Sequence, residues 1–170
     1  MRVSKVLIEQ NQIEQKVKEL AERINKDYLG GELVIVGILK GAFIVISDIA
    51  KQLDVDVTFE FMSIQSYEGT KSTGQIKIDK DLDIDITGKN ILIVEDIFDT
   101  GLTLSHLKNL LESRNPKSIE ILCMFVKKDI STEPVDIKYS GFEIGPEFVV
   151  GYGLDYEGKY RELPFLGILS

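Results

Sequence analysis

Residues Ile91–Leu104 read ILIVEDIFDTGLTL, and this stretch organises the rest of the chain. Ile91, Leu92, Ile93 and Val94 run without a polar interruption, which suits a strand buried on both faces of a parallel sheet. Glu95 and Asp96 end the run. Ile97 and Phe98 follow, then Asp99, Thr100, Gly101 and Thr103. From Leu102 the period turns helical, with Leu104, Leu107, Leu110 and Leu111 able to share a face. The reading is strand, polar loop, helix. In an open α/β sheet, ligands bind beyond the carboxyl ends of the strands. A helix that starts there offers unpaired N–H groups and a partial positive charge, which suits a phosphate. Gly101 lets the backbone approach it, and the Thr100 and Thr103 hydroxyls add hydrogen bonds. Glu95, Asp96 and Asp99 would repel a bare phosphate; they make sense facing ribose hydroxyls or a Mg²⁺ ion. The plain alternative is a solvated acidic turn with Asp99 capping the helix.

Composition narrows the class. The 170 residues suffice for one domain with a real core, and 44% apolar with 28% charged residues is ordinary for a globular protein. The net charge of −8 argues against a general nucleic-acid or anionic-membrane surface, both of which need basic patches. Cys123 is the lone cysteine and lies in the apolar run Ile121–Val126, so an inert core thiol in a reducing compartment is expected. The first residues lack the apolar segment of a signal peptide, and no apolar run approaches the roughly 20 residues a bilayer needs. A cytoplasmic location is the expectation.

In chain order, Ile13, Val17, Leu20 and Ile24 predict a covering helix, stopped by Gly30-Gly31. Leu33–Ile38 is an apolar strand; Gly37–Gly41 is a turn carrying Lys40; Ala42–Leu53 is a second amphipathic helix. Val55–Ile64 reads as a strand. The polar, glycine-containing run Gln65–Gly74 reads as a hairpin tip or a lid. Asp79–Asp85 reads as a solvated acidic surface. Asn115-Pro116 breaks the central helix, and Ser118–Val126 is another buried strand, ending in Lys127-Lys128-Asp129. The remainder is short strands and turns, with Ser131 onward expected to form a small hood. His106 has no second His or Cys to share a metal and is expected on a helix surface. Tyr160 and Phe165 are assigned to packing.

The run Val94–Thr103, Val-Glu-Asp-Ile-Phe-Asp-Thr-Gly-Leu-Thr, resembles the phosphoribosyl-pyrophosphate (PRPP) signature of type I phosphoribosyltransferases. The flanking motifs, in order from Leu33 to Ser170, narrow the resemblance to the hypoxanthine-guanine phosphoribosyltransferases. Phe98 departs from it, standing where many relatives carry a smaller aliphatic residue. The resemblance implies a type I phosphoribosyltransferase fold: a single α/β domain over 1–170, a central mostly parallel sheet flanked by helices, and a hood largely from 131–170. It implies transfer of the 5-phosphoribosyl group of PRPP to hypoxanthine or guanine in purine salvage, with Mg²⁺ as cofactor. Residue by residue, Glu95, Asp96, Asp99, Thr100, Gly101, Leu102 and Thr103 would bind PRPP, with Asp99 the general base. Lys40, Gly41 and Arg161 would bind pyrophosphate, with a cis peptide expected at Leu39-Lys40. Ser66 and Tyr67 would close as a lid. Lys127 would bind the purine 6-oxo oxygen, Phe148 would stack on the base, and Val149 and Asp155 would complete its site. Glu95, Asp96 and Asp155 would serve the metal. Partners would be small molecules and copies of the same chain, as a dimer or tetramer. A reading of another class is a non-catalytic PRPP- or nucleotide-binding regulator with the same fold, which would need a nucleic-acid surface or an added domain.

Overall fold

The computed structural model describes residues 2–66, 75–128 and 134–170. In chain order the elements are β1 (Val3–Ile8), α1 (Gln10–Asp27), β2 (Glu32–Leu39), α2 (Phe43–Ala50), β3 (Asp56–Ser66), β4 (Ile76–Lys80), β5 (Asn90–Phe98), α3 (Leu102–Glu112), β6 (Ser118–Lys127), β7 (Tyr139–Ile144), β8 (Val149–Val150) and β9 (Leu166–Leu169).

Six strands form the main sheet in the order β4-β3-β2-β5-β6-β7. All neighbours are parallel except the β3–β4 pair at one edge. Side chains alternate across a strand, and here both faces are covered. Leu33 and Ile35 of β2 pack towards α1 and α2, beside Leu92, Val94, Leu122 and Met124. Val34, Val36 and Ile38 pack in the other core with Leu104, Leu107 and Leu111 of α3, beside Ile91, Ile93, Ile121 and Cys123. Double coverage is why β2, β5 and β6 read as unbroken apolar runs. Leu110 is only half-buried, so the buried stripe of α3 is narrower than its leucines suggest. Cys123 is fully buried, and burial pushes its thiol well up, as an inert core position requires.

The second sheet is small and antiparallel, ordered β1-β9-β8. Its composition differs from the expected hood. Tyr139–Ile144 does not belong to it but extends the main sheet as β7, in parallel register with β6. Val3–Ile8, unassigned from sequence, pairs with the C-terminal strand, Val3 opposite Leu169. Short strands of this kind acquire their pairing only when the chain ends meet.

Several boundaries shift. α1 stops at Asp27 with Tyr28 as its cap, ahead of Gly30-Gly31. α2 ends at Ala50. The Asp79–Asp85 stretch carries exposed aspartates, as expected, but between them Leu82 and Ile84 are half-buried against the core. Asp81 is clasped by Arg114 through two hydrogen bonds of 2.8 and 2.7 Å, and the Asp83 N–H donates to the buried Glu60 carboxylate at 2.8 Å. Among the described residues no helix is long and apolar enough to cross a membrane.

Candidate active site

Three parallel strands end side by side, and each delivers a loop to the same edge. β5 carries Glu95 and Asp96 inside its last turns and releases Asp99–Gly101 beyond them. Gly101 is the N-cap of α3 and sits in the left-handed region (φ +82), a conformation a side chain would strain. Ser105 N–H to Gly101 O, 2.9 Å, closes the first helical turn. The N–H groups of that turn therefore point outward, into a pocket of about 160 Å³ lined by Glu95, Ile97, Phe98, Asp99, Thr100, Gly101, Thr103 and Leu104. This is the chemistry of an anion site at a helix start. Asp99 does not cap α3: the N-cap is Gly101, and the Leu102 N–H donates to Thr100 Oγ1 at 3.5 Å. The Asp99 carboxylate instead faces Lys127 at the end of β6, Oδ2 to Nζ 3.6 Å, and the Lys127 side chain is only 13% exposed. A lysine so far removed from water, at the ligand edge of the sheet, is not the solvated strand-end cation that its sequence neighbourhood would suggest.

β2 delivers the next loop. The Leu39-Lys40 peptide is cis, as the resemblance implied. Lys40 is exposed and Gly41 buried. Gly41 packs against a carboxylate: a Cβ there would stand 1.7 Å from Asp96 Oδ2, so a larger residue would have to displace the Asp96 side chain. Across from it, a Cβ on Gly153 (φ +100) would stand 2.1 Å from the Gly41 carbonyl oxygen. Two glycines thus let the β2 loop, the β5 carboxylates and the segment after β8 touch through backbone.

That last segment carries Asp155 and Arg161. Arg161 is tied back by Nη1–H to Gly153 O, 2.6 Å, and by Nη2 to Asp155 Oδ1, 2.8 Å. Asp155 Oδ2 also accepts the Gly158 N–H at 2.8 Å. Val149 lies buried in β8, its backbone paired with Ile168. Phe148, just before it, is 54% exposed, with its ring edge-on to Tyr156 at 5.8 Å. An exposed phenylalanine braced by a second ring is a ready stacking platform.

The electrostatics match a ligand site. Burial, and then the neighbouring Asp96 charge, push the Glu95 carboxyl well above its ordinary value. Asp96 is also raised, chiefly by burial, with Asp155 adding to the shift and Arg161 opposing it. Among the described residues no cation forms an ion pair with either carboxylate.

A phosphoribosyl transferase domain model matches residues 5–157. A hypoxanthine-guanine phosphoribosyltransferase of Mycobacterium bovis is 44% identical over 175 residues, spanning 99% of this chain and 87% of the relative. One from Staphylococcus aureus is also 44% identical, spanning 99% and 94%. The chain belongs to the hypoxanthine-guanine phosphoribosyltransferase family. Solved structures agree. A Bacillus anthracis hypoxanthine-guanine phosphoribosyltransferase superposes with a TM-score of 0.96 at 40% identity, covering 99% of this chain and all of that one. A Staphylococcus aureus hypoxanthine phosphoribosyltransferase gives 0.96 at 44% identity, covering 99% and 92%.

Read as a phosphoribosyltransferase, the structure brings most of the expected residues to one edge: Lys40, Gly41, Glu95, Asp96, Asp99–Thr103, Lys127, Asp155 and Arg161. Ser66 ends β3, where it pairs with Ile76. Tyr67 and the rest of the expected lid, 67–74, lie outside the described residues. Among the described residues no three Asp, Glu, His or Cys side chains converge closely enough to hold an ion. Glu95, Asp96 and Asp155 are therefore not a finished cage. Their hard oxygen donors still fit Mg²⁺, which typically takes one or two carboxylates and completes its shell with substrate oxygens and water. Sequence reasoning missed Tyr156, the brace of Phe148, and the pair Asp48–Tyr152. Neither stands out locally, because each acts through a partner brought by folding.

Proposed function

We propose that the chain is a purine-salvage enzyme that moves the 5-phosphoribosyl group of PRPP onto hypoxanthine or guanine, giving IMP or GMP and pyrophosphate. The observation that carries this reading is the meeting at one edge of the α3 anion pocket, the Leu39–Gly41 loop and the desolvated Lys127. One ligand with a phosphate, a pyrophosphate and a 6-oxopurine-accepting carbon between them fits such an edge.

In this reading the N-terminal turn of α3, with Gly101, Thr100 and Thr103, holds the 5′-phosphate. Glu95 and Asp96 orient the ribose hydroxyls. Lys40, the Gly41 backbone and Arg161 hold pyrophosphate, for which a planar bidentate guanidinium is well shaped. Phe148 stacks on the purine, and Val149 meets it through its backbone. Lys127 donates to the 6-oxo oxygen, which disfavours adenine, whose 6-amino group is a poor acceptor. Asp99, ion-paired to Lys127, receives the purine N7 proton as N9 forms its bond to C1′ and the C1′–O bond to pyrophosphate breaks. Asp96, Asp155 or Glu95 would hold Mg²⁺, and the ion would supply Lewis-acid neutralisation of the leaving group. The family resemblance gives Ser66 and Tyr67 the role of keeping water from an oxocarbenium-like ribose. A homodimer or homotetramer in the cytoplasm completes the proposal; Phe43 on α2 and Phe59 on β3, 42% and 39% exposed, are the aromatic side chains such an assembly would cover.

A base panel tests it. With PRPP and Mg²⁺, turnover of hypoxanthine or guanine but not adenine or orotate is expected. PRPP binding with no turnover of any base would overturn the enzyme reading in favour of a regulator. Asp99→Asn is expected to lower kcat by about 100-fold or more, with the KM for PRPP changed less than about threefold. Equal kcat in variant and wild type would remove the general-base role.

A further inference from the structure

Tyr152 meets no substrate in the mechanism above, yet its side chain joins three elements that do. It occupies the left-handed region (φ +48) between Gly151 and Gly153, both at φ +100. A bulky residue there is disfavoured and persists only where its surroundings hold it. Tyr152 is 3% exposed, and its ring stands edge-on to Phe125 at 6.2 Å, two residues before Lys127 on β6. Its hydroxyl donates to Asp48 Oδ2 at 2.8 Å. Asp48 lies on α2, the helix that starts directly after the Lys40-Gly41 loop. The backbone of the same segment is tied to the turn around Arg161 by Tyr152 N–H to Leu163 O, 2.8 Å, and Gly153 N–H to Arg161 O, 3.0 Å.

We infer that the Tyr152–Asp48 hydrogen bond is a positioning device that holds the Leu39–Gly41 loop and the Val149–Asp155 segment in one fixed relation, so that the pyrophosphate and purine half-sites are set together. The inference rests on the phosphoribosyl-transfer reading. Gly153 and Gly41 are already in backbone contact, where a Cβ would leave only 2.1 Å, and small sliding at that contact would misplace both half-sites. The hydrogen bond locks the helix on one side of the contact to the segment on the other. Burial and the Asp48 carboxylate push the phenol far above its ordinary value, so it remains a donor across the working pH range.

The bond can be removed cleanly. Asp48 is half-exposed and opens, with Lys51, Glu14 and Glu162, onto a pocket of about 360 Å³ between α1, α2 and the chain after Arg161. Tyr152→Phe therefore leaves Asp48 hydrated rather than buried without a partner, and it keeps the ring on Phe125. That variant is expected to raise the KM for PRPP in the forward reaction, and for pyrophosphate in the reverse, by about fivefold or more. Asp48→Asn keeps an acceptor oxygen and is expected to stay within about twofold of wild type. The double variant Tyr152→Phe/Asp48→Ala is expected to be no worse than Asp48→Ala alone, since the two residues act through one bond. Unchanged KM values in Tyr152→Phe, or additive losses in the double variant, would overturn the inference. Amide exchange decides the matter independently of turnover. Ala42 and Phe43, on one side, and Tyr152 and Gly153, on the other, should all exchange faster in Tyr152→Phe, and unaltered exchange at either group would overturn it. A wild-type protein that turns over no base would sink the functional reading, while the exchange comparison would still judge this one.

Discussion

Asp27 closes α1 and Asp96 lies near the end of β5, and the two carboxylates have opposite surroundings. Asp27 accepts the hydroxyl of the fully buried Tyr139 at 2.6 Å and has the Lys138 ammonium at 3.9 Å. Arg23 lies over the Tyr139 ring at 5.0 Å and donates to the Lys138 carbonyl at 2.8 Å. This cluster fastens α1 to β7 with each polar atom matched. Even so, burial pushes the nearby Tyr28 phenol up to about 12. Asp96 accepts its neighbour's amide, Ile97 N–H at 2.8 Å, and adjoins Glu95, itself raised by burial and by the Asp96 charge. A fold free to maximise its own stability would have paired these acids as it paired Asp27. The difference marks where the chain keeps binding capacity for a charged ligand at the expense of stability.

The sharpest way to break this contrast is Glu95→Gln. If the acid serves PRPP and its metal, kcat/KM should fall by about 100-fold or more. The same variant should be more stable than wild type at neutral pH. The folded-state pKa of Glu95 lies above the ordinary 4.5, so the native state holds this proton more tightly than the unfolded chain does. Its contribution to stability is therefore complete below about pH 4.5 and is lost as pH rises through the folded value. The glutamine variant escapes that loss. Its Tm should exceed that of wild type by about 2–4 °C at pH 8 and match it at pH 4. A lower Tm at pH 8 would show that Glu95 is settled by the fold after all.

The Asp27 cluster should behave in the reverse sense. Tyr139→Phe removes one charge-assisted hydrogen bond from a buried site and should cost about 1.5–3 kcal/mol in denaturant unfolding, with kcat and KM unchanged. A change in KM without loss of stability would mean that this end of the sheet also serves the site. The smallest effect is expected at Arg114→Ala. Its bidentate pair with Asp81 joins the exposed acidic stretch to the end of α3, but both partners remain partly in water. The pair holds the Asp81 carboxyl below its usual range. A loss of under about 1 kcal/mol, shrinking at high salt, is expected.

The Ile91–Leu104 stretch was legible because its chemistry is local. A doubly buried strand must be apolar throughout, a helix start must leave N–H groups open, and Gly101 must reach a positive φ. Lys40 and Gly41 were legible only through resemblance; in isolation a lysine in a turn says nothing, and the Asp96 oxygen that excludes a Cβ from Gly41 comes from another strand. In the sequence β7 and β8 look alike as short apolar runs. Which sheet each joins depends on available edges, and β6 offered one to β7. β1 went unread because its partner is at the far end of the chain.

By itself, then, the sequence determined a doubly covered α/β sheet, the loop that ends its central strand and the kind of ligand that loop suits, because periodicity and backbone stereochemistry act over a few neighbouring residues. Only the tertiary structure decided that Asp99 faces Lys127 rather than capping α3, that Gly41 and Gly153 meet, and that Tyr152 reaches Asp48. Those facts depend on contacts between segments far apart in the chain, which follow from how buried side chains pack and which polar groups remain to be paired.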